Sequence, residues 1–220
     1  MINRLAIIGV GLIGSSLALG LKQAKAVGHV VGCGRNQTNL QKGIELGVID
    51  SYCDSVAEAV KGADVVVVAV PLGTMQNIFQ QMSNVISSAT IVTDVGSTKG
   101  SVIEAAKAGL GRCLPQFVPG HPIAGSEKNG VEAGFAELYQ NKKVILTPLP
   151  ENSQSSIDQI SDMWQQCGAH IEYLSVIQHD KVLAATSHLP HLLAFSMVTY
   201  LSGLNDHDEI FKYAAGGFRD

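Results

Sequence analysis

The segment Gly9-Val10-Gly11-Leu12-Ile13-Gly14 constrains the fold of this chain more than any other. It follows the apolar run 5–8 and precedes the helix-forming run 15–19, which gives the order strand, turn, helix. A G-x-G-x-x-G in that order places backbone N–H groups and a helix N-terminus against a pyrophosphate. The first glycine makes a tight turn, the second lets phosphates approach the backbone, and the third lets the helix pack on the strand. The residues predicted to bind a dinucleotide here are Gly9, Gly11, Leu12, Ile13 and Gly14.

Strand and helix patterns alternate along the first half of the chain. Apolar runs predict strands at 3–9, 27–33, 48–49, 63–71 and 89–94, with helices at 12–25, 37–46, 56–60, 73–83 and 98–108. The β-branched run 63–71 is typical of a parallel strand that is covered on both faces. The alternation therefore predicts a Rossmann-type, doubly wound α/β fold with a mainly parallel sheet.

The pattern changes after residue 114. Residues 116–122 predict a strand that runs into a rigid Pro/Gly-rich loop, and further strands are predicted at 143–147 and 170–174, with a helix at 153–167 between them. From about residue 176 the pattern is helical, with an interruption at Pro190. We therefore assign 1–175 to a dinucleotide-binding domain and 176–220 to the start of a helical substrate and dimerisation domain.

Charge and cysteine content argue against several classes of protein. The formal net charge of −4 disfavours a nucleic-acid partner or an anionic membrane surface. The four cysteines form no C-x-x-C pair, so we expect free thiols in a reducing cytoplasm and no zinc module. The N-terminus lacks the pattern of a signal peptide, and no apolar run approaches the ~18 residues that span a membrane. The sequence thus predicts a cytoplasmic protein with a small-molecule partner and no membrane partner.

The end of the second predicted strand bears on cofactor choice. In dinucleotide-binding folds an acidic residue there binds the ribose 2′-hydroxyl of NAD, whereas an Arg accommodates the 2′-phosphate of NADP. This chain has Gly34, Arg35 and Asn36 at that place and no acid at the expected spacing. We therefore predict that Arg35 and Asn36 bind the cofactor and favour NADP over NAD, although an Arg also tolerates NAD.

Ligands of such sheets bind at the carboxyl ends of the strands. Val70 and Pro71 end one predicted strand and Asp94 ends another, which adds all three to the predicted cofactor contacts. His121, between Gly and Pro in the predicted loop, is a candidate base that takes a proton from a hydroxyl group, or else it stabilises the loop. On spacing alone Ser97 or Thr98 is expected to cap the helix that follows; if the hydroxyl faces the site instead, it can orient the base or the substrate.

Three imidazoles lie in the helical segment. His188 and His191 are three residues apart and so are neighbours on a helix face, with His179 upstream. No carboxylate or thiolate completes a convincing metal site, so we predict no metal. Contact of one imidazole with a substrate is the favoured interpretation, with the others buried and hydrogen-bonded.

Six motifs occur in a specific order over nearly the whole chain. They are Gly9-x-Gly11-x-x-Gly14, Asp94-Val95-Gly96-Ser97-Thr98-Lys99, Gly120-His121-Pro122-Ile123-Ala124-Gly125, His179-Asp180, Ser187-His188-Leu189-Pro190-His191 and Gly217-Phe218-Arg219-Asp220. Together they resemble the prephenate/arogenate (cyclohexadienyl) dehydrogenase family of tyrosine biosynthesis. The resemblance implies a dinucleotide domain followed by a helical dimerisation domain, and therefore a homodimer where that domain is complete.

The resemblance also implies a reaction, the oxidative decarboxylation of prephenate to 4-hydroxyphenylpyruvate, of arogenate to tyrosine, or of both, with prephenate favoured. His121 would take the proton of a ring hydroxyl while hydride passes to NADP or NAD, and loss of CO2 leaves an aromatic ring. Ser97 would hydrogen-bond either His121 or the substrate hydroxyl. Further substrate contacts implied by the resemblance are Ser126, Glu127, His188 and His191.

The family pattern has an Arg three residues after the Asp that corresponds to Asp220, and it binds a substrate carboxylate; this sequence ends before it. Either the helical domain is truncated here, or Arg219 substitutes for that contact. Two alternatives remain open on the sequence alone. One is another dehydrogenase or reductase of this fold, of the β-hydroxyacid dehydrogenase type, and the other is a non-catalytic nucleotide-sensing module.

Overall fold

A computed structural model describes residues 1–215 and 218 of the chain. The chain divides into two compact units, Met1–His179 and Asp180–Asp220. The division falls after His179, whose side chain packs against His121 in the first unit. The predicted domain boundary at residue 175 stays a prediction.

The first unit is built on a parallel sheet with helices on both faces. Its strands are β1 (Ile2–Ile8), β2 (Val27–Cys33), β3 (Ser51–Cys53), β4 (Val65–Val68), β5 (Ile91–Asp94) and β6 (Phe117–Val118). The helices between them are α1 (Leu12–Gln23), α2 (Gln37–Glu45), α3 (Val56–Val60), α4 (Met75–Met82) and α5 (Lys99–Leu110). The strand order β3-β2-β1-β4-β5-β6 confirms the predicted Rossmann-type fold and places its switch point between β1 and β4.

The central strands are buried on both faces because their side chains alternate between two apolar clusters. Leu5 and Ile7 of β1 belong to one cluster, and Ala6 and Ile8 belong to the other. All four residues of β4 are fully buried and divide between the clusters in the same way. This two-sided burial explains why a continuous β-branched run, rather than an alternating pattern, forms β4.

The third strand lies at 51–53, where it pairs with β2, so the prediction of a strand at 48–49 was wrong. Val48 and Ile49 are both buried, but they lie ahead of the strand and fill the core from a turn. Ile49 packs over Gly32, where a Cβ would lie only 2.7 Å from its side chain. Their apolar character therefore reflects burial and not strand pairing.

A second, smaller sheet follows the first in the same unit. It consists of β7 (Gly120–Pro122), β8 (Lys143–Leu146) and β9 (His170–Tyr173), with α6 (Gln154–Gln166) before β9. β7 pairs antiparallel with β8, and His121 lies opposite Ile145. His121 is thus held in a strand, and the prediction that it lies in a loop was wrong. Before Pro119, β6 pairs with β5 in the first sheet. After Pro119, β7 pairs with β8 in the second sheet.

The remaining helices are α7 (Val176–Leu183), α8 (Leu189–Ser202) and α9 (His207–Lys212). A π-helical turn, Ala184–His188, joins α7 to α8. The helical path is therefore continuous through Pro190, and the predicted interruption there was wrong. The N–H of Leu189 donates to the carbonyl of Ala184, five residues back. Pro190 then occupies the first turn of α8, where its missing N–H is tolerated best.

The stretch Val176–Ser202 is long and apolar enough to cross a membrane on length and composition, and 6% of its most apolar window is buried. The sequence analysis predicted helix from about residue 176 but expected no stretch apolar enough to span a membrane, because polar and charged residues interrupt the apolar ones. Large apolar side chains exposed along α8 include Leu189, Leu192, Leu193, Phe195, Met197 and Tyr200. A surface of this kind marks a contact with a partner or a lipid phase.

Candidate active site

The glycine turn between β1 and α1 has the geometry of a phosphate cradle. Gly9 has a φ of +102°, and a Cβ there would collide with the carbonyl oxygen of Ala69. A Cβ on Gly14 would lie 2.5 Å from the carbonyl oxygen of Gly9, so only glycine lets α1 pack this closely. A Cβ on Gly11 would meet nothing within 4 Å, which leaves open space at the N-cap of α1.

A cleft of about 700 Å³ opens at the switch point above this turn. Its lining includes the predicted residues Gly9, Gly11, Arg35, Asn36, Val70 and Pro71, together with Cys33, Asp54, Thr74, Asn77, Gln81 and Gly130. Leu12 and Ile13 pack their side chains against the core, so only their backbone N–H groups remain as predicted phosphate contacts. The open position at Gly11, the N-terminus of α1 without a side-chain cap and the size of the cleft fit a dinucleotide.

Two asparagines of α2 organise the far side of the cleft. Asn36 accepts a hydrogen bond from the backbone N–H of Asn39 and so caps the helix, in addition to lining the cleft. Asn39 donates to the carbonyl of Val10 over 2.7 Å and accepts from the N–H of Val131 over 3.1 Å. The side chain of Asn39 therefore ties the glycine turn to Val131, which lies 92 residues from Asn39, and no local pattern indicates this contact.

A buried ion pair lies at the carboxyl end of β5. Lys99 Nζ is 2.7 Å from Asp94 Oδ2, and both side chains are fully buried. Asp94 also accepts from the N–H groups of Gly96 and Gly120, and Lys99 donates to the carbonyl of Gly120 over 2.5 Å. The Asp94 carboxylate is thus used within the protein, where it joins β5, α5 and β7, and it is absent from the cleft lining. Its predicted contact with the cofactor stays a prediction.

His121 follows Gly120 directly and is half-buried. Its Nδ1 lies 2.9 Å from Nε2 of His179, which is fully buried on α7. The two rings meet edge to face, with centroids 5.1 Å apart and planes at 62°. Sequence reasoning named both histidines but gave no sign that they form a pair.

Ser97 lies in the short connection between β5 and α5, and its side chain is exposed. Among the described residues it makes no hydrogen bond to His121, whose Nδ1 is engaged by His179 instead. The hydrogen bond to His121 and the contact with the substrate hydroxyl therefore both stay predictions. The N-cap of α5 is Thr98, whose hydroxyl lies 2.6 Å from that of Ser101 rather than on a backbone N–H.

The other predicted substrate contacts lie in different parts of the chain. Ser126 and Glu127 are exposed in the loop after β7, where the Ser126 hydroxyl accepts from the N–H of Lys128. His188 ends the π turn and His191 lies in the first turn of α8, both in the second unit. Arg219 lies outside the described residues. All five stay predictions.

The part of the chain that the structure describes contains neither a metal-binding cluster nor a reactive thiol in the cleft. No cluster of three or more His, Cys, Asp or Glu side chains is arranged there to hold a metal ion. All four cysteines are free, and Cys33, which lines the cleft, is buried. Burial raises the pKa of the Cys33 thiol to about 11, so this group is protonated at neutral pH and is a poor nucleophile.

The strand order, the glycine turn and the cleft define a Rossmann-type dinucleotide-binding protein. Residues 17–173 match the family model described as the nucleotide-binding domain of prephenate dehydrogenase, and residues 175–220 match its dimerization domain. The chain therefore belongs to the prephenate dehydrogenase family, and it is an oxidoreductase that uses NAD(P).

Individual relatives agree with this assignment. The chain is 38% identical to cyclohexadienyl dehydrogenase of Zymomonas mobilis over 99% of its own length and 74% of that protein. It is 35% identical to prephenate dehydrogenase of Bacillus subtilis, of which it covers 60%. The crystal structure of A. aeolicus prephenate dehydrogenase in complex with hydroxyphenyl propionate and NAD+ superposes with a TM-score of 0.91 at 35% identity, over all of this chain and 77% of that one.

Proposed function

We propose that this protein catalyses the NAD(P)-dependent oxidative decarboxylation of prephenate to 4-hydroxyphenylpyruvate, or of arogenate to tyrosine, in tyrosine biosynthesis. The observation that carries the proposal is the imidazole of His121, half-buried and anchored next to the Asp94–Lys99 ion pair at the carboxyl edge of the sheet. Relatives named for both substrates, among them the cyclohexadienyl dehydrogenase of Zymomonas mobilis, support the family's chemistry.

The residues of the chain divide the work of this reaction. His121 takes the proton from the ring hydroxyl, so that the O–H bond breaks and the oxygen's electrons form a carbonyl as hydride leaves the same carbon. A bound nicotinamide supplies the hydride acceptor. When the carbon–carbon bond to the ring carboxylate breaks, CO2 leaves and the electron pair of that bond completes the aromatic ring. His121 then returns the proton to the phenolic oxygen. No net proton is gained or lost.

The proposed substrate contacts are side chains with polar atoms suited to a hydroxyl or a carboxylate. Ser97, exposed beside the buried ion pair, would hydrogen-bond the ring hydroxyl. Those proposed for the rest of the substrate are Ser126, Glu127, His188, His191 and Arg219. We favour prephenate over arogenate, which differ in a keto against an amino group on the side chain.

We further propose NADP as the preferred cofactor. Arg35 lines the cleft directly after β2, and an extra methyl group at Gly34 would meet only ordinary contacts with Leu40, so the strand end leaves room for a 2′-phosphate. Arg guanidinium groups bind phosphate through paired, charge-assisted hydrogen bonds.

Arg35→Asp is expected to reverse cofactor preference, because a carboxylate repels the 2′-phosphate and accepts hydrogen bonds from the ribose hydroxyls of NAD. We expect the ratio of kcat/KM for NADP+ over NAD+ to fall by about 10²-fold, the loss of one charge-assisted pair at ~1.5–3 kcal/mol. Steady-state kinetics with both cofactors measures the ratio. Lys42→Asp, an exposed charge change on α2 outside the cleft, is the control. An unchanged ratio in Arg35→Asp would refute the role of Arg35.

Absorbance of the reduced nicotinamide tests the reaction itself. Prephenate and arogenate are each combined with NADP+ and NAD+, and we expect turnover that is fastest with prephenate and NADP+. Cofactor binding measured by calorimetry without turnover on either substrate would instead favour a nucleotide-sensing module.

The expected assembly is a homodimer in the cytoplasm. The exposed apolar side chains of α8 lie in the segment that matches a dimerization domain, so contact with a second copy accounts for them without a lipid phase. Free thiols and use of NAD(P) agree with a reducing compartment.

A further inference from the structure

We infer that His179 is a positioning residue that fixes the ring orientation and the tautomer of His121. The inference rests on the proposed function, in which His121 is the base. It starts from the 2.9 Å contact between Nδ1 of His121 and Nε2 of His179, which joins a half-buried imidazole to a fully buried one.

A hydrogen bond between two neutral imidazoles needs one donor and one acceptor. If His121 Nδ1–H donates to Nε2 of His179, then Nε2 of His121 carries the lone pair that takes the substrate proton. If the direction is reversed, Nε2 of His121 carries a hydrogen and cannot act as the base. The tautomer of the pair therefore decides whether the reaction can begin.

Both rings are held by regular structure. His121 lies in β7, paired with Ile145 of β8. His179 lies on α7, where its backbone N–H donates to the carbonyl of Ser175 over 2.9 Å. Because His179 is fully buried and meets the other ring edge to face, rotation of His121 about its χ angles would break the contact. The partner thus sets in advance the orientation that proton transfer requires.

The same contact acts after proton transfer. Once His121 has gained the hydroxyl proton at Nε2, its Nδ1–H still donates to His179, now from a charged ring. Hydrogen bonds from charged donors are stronger than neutral ones. His179 therefore favours the protonated form of His121 without itself changing its bonded protons.

The test compares His179→Leu, which removes the acceptor, with His179→Gln, whose side-chain amide oxygen can replace it. We expect Leu to lower kcat by about 10–100-fold, as loss of an orienting partner does elsewhere. KM for the substrate and Kd for the cofactor should stay unchanged, and Gln should recover part of kcat. An equal loss in both variants, or no loss in Leu, would overturn the inference.

A second readout does not depend on turnover. Nitrogen NMR of uniformly 15N-labelled protein, with the ring signals assigned through His121→Asn, reports which nitrogen of His121 is protonated. We expect Nδ1–H in the wild type and in His179→Gln, and the Nε2–H form in His179→Leu. The exposed His170 on β9 provides the control, since His170→Leu should change neither signal. A tautomer that is the same in all variants would overturn the inference even if the proposed reaction is absent.

Discussion

His121→Asn is expected to lower kcat by about 10²–10⁴-fold, the contribution of a positioned general base, and to leave cofactor binding intact. The asparagine cannot take up a proton, so the ring hydroxyl must lose its proton to water while hydride leaves. The residue lies in the second sheet, and it does not line the dinucleotide cleft. Binding of NADP+ should therefore be unaffected, and the loss should appear in turnover alone.

Two measurements separate this effect from a loss of structure. Stopped-flow or steady-state absorbance gives kcat, and calorimetric titration with NADP+ gives the cofactor Kd. His170→Asn is the matched control, because His170 is exposed on β9 of the same small sheet. A variant at His121 that kept the wild-type rate would show that another group takes the proton, and the mechanism proposed above would be wrong.

The sequence predicted the structure best at positions where the local backbone geometry and the function require the same residue type. Gly9 and Gly14 occupy positions where a Cβ would strike neighbouring backbone, and both were identified from their spacing and the flanking strand and helix patterns. The two-sided burial of β4 was visible in its unbroken β-branched run. The third strand was misplaced because a buried turn and a buried strand have the same apolar sequence pattern. Val48 and Ile49 are buried, but the strand lies at 51–53.

The contacts within the site could not be predicted in the same way. His121 and His179 are 58 residues apart, and Asn39 reaches a backbone group 92 residues away, so each contact depends on how separate elements pack. Asp94 illustrates the same difficulty. Its place at a strand end suggested a ligand contact, whereas three internal donors surround its carboxylate. Residue type and position indicate that such a group matters, but only tertiary packing determines its partner.

The Asp94–Lys99 pair gives the largest expected effect on stability. Lys99→Met should lower the free energy of unfolding by about 3–5 kcal/mol, because it leaves a buried carboxylate without its counter-charge. Methionine fills most of the volume of the lysine stem, so the loss of charge and not a cavity dominates. Lys107→Met is the matched control, since Lys107 on the same helix forms an ion pair of similar length, 2.8 Å, with Glu104, but in solvent. That variant should leave the unfolding free energy close to the wild-type value.

Urea unfolding followed by circular dichroism measures both variants. The double variant Asp94→Asn/Lys99→Met tests the cause, because a neutral amide costs less to bury than an unpaired carboxylate and still accepts from the N–H of Gly96 or Gly120. We expect it to recover part of the lost stability. Equal stability of Lys99→Met and Lys107→Met would mean that the buried charge is compensated by other groups.

Because Lys99 also holds the carbonyl of Gly120, directly before His121, the folded fraction of Lys99→Met should show a lower kcat with an unchanged cofactor Kd. The ion pair would then connect the stability of the sheet edge to the placement of the base.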